Sequence, residues 1–137
     1  MALVDASTDR RIIAGWPETG IQITLAGDVS AGDPLMYSTG WKLSTNTSGA
    51  EAVLIAGETG ASGATISAYA IALIELTHTL TNVPTMGELI AVADTGIYAP
   101  DAANTQDIGH IVEIDSDSLH SRALVWPGQV AYDTAGV

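Results

Sequence analysis

Cysteine and phenylalanine are both absent from the 137 residues, and basic residues number four against sixteen acidic ones. The lack of cysteine excludes disulfide staples, thiolate zinc sites and cysteine nucleophiles. Without phenylalanine, the core must be built from Ala, Val, Ile and Leu, which the 47% hydrophobic fraction supplies in quantity. Such a core is small in volume per residue, and association with further copies would help to stabilise it. The formal charge is −12, and Arg10, Arg11, Lys42 and Arg122 are the only side chains free to neutralise phosphates, which argues against nucleic acid as a partner. No apolar run is long enough to cross a bilayer, so no membrane partner is expected. Asp5, Asp9, Arg10 and Arg11 follow the first residues too closely for a signal peptide, and a soluble chain not exported by a cleaved signal is expected.

What is present is punctuation. Glycines fall at about ten-residue intervals with Thr and Ser between them, the spacing of many short strands. Ile21, Ile23 and Leu25 alternate with Gln22 and Thr24, a period of two that marks a half-buried strand. Further strands are expected at Pro34 to Tyr37, Trp41 to Ser44, Val53 to Ala56, Leu89 to Ala93, Gly109 to Asp115 and Ala123 to Trp126. Thr65 to Leu76 is long and rich in Ala and Leu, as a helix would be, but its β-branched residues and alternation favour one buried strand. Thr77 to Thr85 suits an edge strand or an extended loop.

An internal echo organises these segments. GDPLMYSTGWKL (Gly32 to Leu43) aligns with GELIAVADTGIYA (Gly87 to Ala99). In each, a Gly and an acid precede an apolar strand, a Gly-containing turn reverses it, and a second strand opens with Trp41 or Ile97. Another apolar run follows each. The expectation is a single all-β domain, a small barrel or sandwich built from two similar hairpin units. It divides into an extended N-terminal arm over residues 1–20, a β-domain over 21–128 and a C-terminal tail over 129–137. Ile12, Ile13 and Trp16 in the arm are costly to leave in water and need a surface to pack on.

No motif for catalysis emerges. Gly57 to Thr65 is glycine-rich, but Ala64 stands where a P-loop needs its lysine, and the segment reads as a surface loop. His78, His110 and His120 are too scattered for a metal-binding helix. Asp115 and Asp117, with Glu113 nearby, lack the glycine and closing glutamate of a calcium loop and read as a solvated acidic turn. No G-x-S-x-G elbow occurs, and three dispersed tryptophans make a poor sugar platform. The chain is therefore expected to be a structural or binding module and not an enzyme, with no catalytic residue, cofactor or metal. A carbohydrate- or host-surface-binding β-module, presenting Trp16, Trp41 or Trp126, is one alternative, and a small hydrolase using a carboxylate pair that the sequence does not reveal is the other. The acidity would equally suit a halophilic source.

AGDVSAGDPLMY (Ala26 to Tyr37), MGELIAVADTGIYAP (Met86 to Pro100), DIGHIVEIDS (Asp107 to Ser116) and RALVWPG (Arg122 to Gly128) resemble the decoration, or cement, proteins of tailed-bacteriophage heads. The resemblance covers roughly residues 21–128; residues 77–86 are long for the pattern, and the arm, a feature the family uses to cross onto neighbouring subunits, carries no motif that matches it. It implies a β-domain on the outer surface of the mature capsid, made in the host cytoplasm, bound to the major capsid protein as a homotrimer at local threefold axes and bridging neighbouring shell subunits. On that view Arg10, Arg11, Ile12, Ile13 and Trp16 would contact the capsid, in an arm whose removal leaves the domain folded. Tyr37, Trp41, Tyr98 and Trp126 would lie between copies.

Overall fold

The computed structural model describes residues 10–45, 51–78, 83–94, 97–100, 105–129 and 132–133. These form β1 (Arg10–Trp16), β2 (Ile21–Thr24), β3 (Pro34–Tyr37), β4 (Trp41–Leu43), β5 (Leu54–Ala56), β6 (Thr65–Tyr69), β7 (Ile71–Thr77), β8 (Leu89–Asp94), β9 (Ile97–Pro100), β10 (Thr105–Ile114), β11 (His120–Val125), a 3-10 turn (Pro127–Gln129) and β12 (Tyr132–Asp133). The smaller sheet runs β2-β6-β5-β3-β4, and the larger runs β1-β7-β11-β10-β8-β9 with β12 attached to β10. Among the described residues every pairing between these strands is antiparallel, and a single isolated parallel bridge joins Leu25 to Trp41. The domain is all-β and sandwich-like, and among the described residues neither sheet closes into a barrel.

The repeated sequence has a larger structural counterpart. Strands β2 to β6 and strands β7 to β11 adopt the same order within their sheets, first-fifth-fourth-second-third in chain order. Both echo segments are hairpins, with Tyr37 opposite Trp41 in one and Val92 opposite Tyr98 in the other. The Gly-acid dipeptides make the same turn. Gly32 (φ 90°) and Gly87 (φ 81°) occupy the left-handed region that side chains other than glycine adopt at a cost. The acid then reaches back three residues: Ser30 N–H donates to Asp33 Oδ2 at 2.8 Å and Thr85 N–H to Glu88 Oε1 at 2.8 Å. Gly32 N–H donates to Ala56 O and Gly87 N–H to Ile111 O, so one offset of 55 residues relates donor and acceptor in both.

Thr65 to Leu76 is not one strand but two. The chain leaves the smaller sheet at Tyr69 and enters the larger at Ile71, and Ala70 N–H donates to Trp16 O at the joint (2.9 Å). Side chains of one parity, Ile66, Ala68, Ala72, Ile74 and Leu76, are buried on both sides of it, so alternation alone gives no sign of the change of sheet. The arm expected over residues 1–20 also has structure. Arg10–Trp16 pairs with β7, Ile12 packs against the main core, and Ile21 begins β2 shortly after. Residues 1–9 lie outside the described residues. In the segment expected as a tail, Tyr132–Asp133 pairs with Thr105 and Gln106.

Two apolar clusters hold the sheets. One lies on the inner face of the larger sheet and takes in Ile55 from β5; the other lies within the smaller sheet and contains Leu54 and Ala56. Strand β5 thus buries both of its faces and sits between the cores. Three buried polar ties cross the same junction. Tyr98 Oη donates to Gly32 O at 2.6 Å, Arg10 pairs with Asp33, and the Gln106 amide bonds both backbone groups of Ala52.

Candidate binding surface

The residues expected at a capsid contact divide across the two faces of β1, because successive side chains on a strand point in opposite directions. Arg10 points inward and is buried. Its Nη2 donates to Asp33 Oδ1, its guanidinium lies 5.6 Å from the Tyr98 ring centroid, and its Nε and Nη1 have no hydrogen-bond partner among the described residues. Desolvation pushes the Asp33 carboxyl above its ordinary value, opposed by the Arg10 charge and the Ser30 N–H. Ile12 is likewise turned to the core. Arg10 and Ile12 are therefore corrected from contact residues to residues that fasten β1 to its own domain. Arg11, Ile13 and Trp16 face outward, with Ile13 at a β-bulge between Ile12 and Ala14.

The residues expected between copies separate in the same way. Tyr98 has no exposed surface, and burial pushes its phenol far above the ordinary tyrosine value, so it belongs to the core and not to a subunit contact. Tyr37 is 63% exposed and stands edge-on to Trp41, with ring centroids 5.3 Å apart. Trp126 is exposed just past the end of β11.

The outer face of the larger sheet gathers residues that no single stretch of sequence shows together. Register places Arg11, Glu75, Arg122 and Glu113 in one row across β1, β7, β11 and β10. Arg11 Nη2 lies 3.1 Å from Glu75 Oε1, Arg122 Nη2 lies 3.6 Å from Glu75 Oε2, and Arg122 Nε lies 3.1 Å from Glu113 Oε1. A neighbouring row holds Ala14, Leu73, Leu124 and His110. Leu124, Ile13 and Trp16 are each at least 40% exposed, which is unusual for large apolar side chains concentrated on one sheet face. Leu124 and the charged row were not singled out in the sequence; the shared parity of Arg122, Leu124 and Trp126 was the available signal.

At the turn between β10 and β11, Asp115, Asp117 and His120 bring potential ligand atoms within 4.8 Å of one another. Asp115 Oδ1 already accepts from Arg122 Nη1 at 2.7 Å, and the Leu119 N–H holds the Asp117 carboxyl below its ordinary value. These hydrogen bonds order the turn, and His120 Nδ1 lies 3.6 Å from Asp117 Oδ2 within it. Asp115 also completes the carboxylate set, with Glu113 and Glu75, that raises the Arg122 guanidinium above its ordinary value. Comparison with protein-family models, curated proteins and solved structures returned no match to this chain.

Proposed function

We propose that the chain is a structural virion protein that binds the outer surface of a mature phage capsid and stabilises it by bridging neighbouring shell subunits as a trimer at local threefold axes. The observation that carries the reading is that both Gly-acid segments on which the family resemblance rests form equivalent turn-and-hairpin units, down to the backbone hydrogen bond made by each glycine. Exposed Arg11, Ile13 and Trp16 add a surface suited to burial against a protein partner, an apolar patch with an arginine at its margin. Binding only the expanded lattice would stabilise that lattice by mass action, and several modest contacts would combine through avidity. Quantitative mass spectrometry of gradient-purified particles tests the proposal. A copy number near that of the major shell protein is expected, and absence from the particles overturns it.

A further inference from the structure

We propose that the outer face of the larger sheet is self-complementary and that, in the free protein, it pairs with the same face of a second copy about a twofold axis parallel to the strands. The proposal does not depend on the function proposed above.

The charged row supplies the argument. From β1 to β10 it reads Arg11, Glu75, Arg122, Glu113, alternating positive and negative. A twofold axis lying in the interface and parallel to the strands reverses the row of the opposing copy. Arg11 then faces the second copy's Glu113, and Glu75 faces its Arg122, so all four positions meet opposite charge. A twofold axis along the row would instead set like against like. The preferred axis also lays Leu73 over the second copy's Leu124, joining the apolar rows. Such pairing is isologous, the same patch serving both copies.

Charge distribution also selects this face. Two chains each carrying −12 repel over most of their surface, whereas the row holds two arginines against two glutamates, with Asp115 beside Arg122 as a third carboxylate. Repulsion elsewhere and complementarity here favour one docking geometry over others. Four strands at about 4.8 Å spacing and about seven residues of length give a footprint of about 450 Å² per copy. A total of about 900 Å² lies at the low end of specific interfaces and fits a reversible, micromolar pair. The face includes Arg11, Ile13 and Trp16, so pairing and use of those residues against a shell exclude each other.

Light scattering coupled to size exclusion, on the full chain across a concentration series, tests the pairing. Wild type should approach twice 14.1 kDa as concentration rises. Arg11→Glu places glutamate against the second copy's Glu113, and Glu113→Arg places arginine against its Arg11; each alone should weaken association by at least about tenfold. Mixing the two variants restores opposite charge at both contacts and should recover the pair. Both side chains are mostly exposed, so the substitutions leave the fold intact, which circular dichroism would verify. A monomeric or trimeric wild type, unchanged association in the single variants, or failure of the mixture to recover would each overturn the proposal. The particle measurement above is independent of all these outcomes.

Discussion

Replacing Gln106 by methionine keeps most of the side chain's length and removes its amide. In the fold, that amide acts as a short piece of backbone: Oε1 accepts from Ala52 N–H at 2.5 Å, and Nε2 donates to Ala52 O at 2.9 Å and to Pro127 O at 3.0 Å. Gln106 and Ala52 are both buried, so water is poorly placed to replace the lost partners. A buried polar group left unpaired costs about 1–3 kcal/mol, and three groups lose this partner at once, which places the total at about 3–5 kcal/mol after partial relaxation. For a chain of this length, a urea m-value of about 2 kcal/mol per M converts that loss into a midpoint about 2 M lower. Urea unfolding followed by tryptophan fluorescence measures it. A loss below about 1 kcal/mol at unchanged m would show that the three backbone groups find other partners and would refute the account of Gln106 as a tie between the sheets.

Three further outcomes follow from buried contacts. The Tyr98 phenol, ordinarily ionising at 10.0, is raised by burial, so above pH 10 the unfolded chain releases a proton that the fold retains. Stability should be full below pH 10 and fall as pH rises further; Tyr98→Phe should flatten this alkaline limb while costing about 1 kcal/mol for the lost bond to Gly32 O, and an unchanged limb in thermal melts would count against it. A Cβ at Gly109 would overlap the Leu124 carbonyl oxygen and lie 3.0 Å from Val125 Cα, so Gly109→Ala should force β10 from β11 and cost about 2–3 kcal/mol in urea unfolding; a neutral effect would mean that the strands can separate freely. Deleting residues 1–16 should leave a markedly less stable domain, because it removes β1, exposes the core beside Ile12 and strands buried Asp33 without Arg10, and an unchanged melting temperature would refute the role of β1.

Strand positions were legible where breakers bracket them. Pro34 to Tyr37 is bounded by the Gly32 turn and by Gly40, and the strand lies where the sequence places it. The two hairpins were legible for the same reason, although the equivalence of all five strands in each half was not, because the outer members share little residue identity. The split at Ala70 escaped because burial parity continues through it. On the candidate surface, Arg10 and Arg11 look alike in sequence, and only an acceptor 23 positions away, Asp33, determines which of them is buried. Tyr98 was misplaced on the same ground, since its partner Gly32 is 66 positions distant. The charged row draws on four strands and becomes visible only through register.

Strand β1 precedes the first five-stranded unit in the chain yet extends the sheet of the second, and its Arg10 returns to Asp33 in the first. The halves are consequently interlocked and not merely joined in tandem. A cut at Ala70 would give an amino-terminal piece carrying a strand it cannot pair and a carboxy-terminal piece with the outer edge of β7 bare. The amino-terminal piece keeps all five strands of the smaller sheet but leaves β1 without its neighbour, and the carboxy-terminal piece lacks the strand that covers β7, so the two should reassemble by complementation when mixed, with β1 acting as the latch.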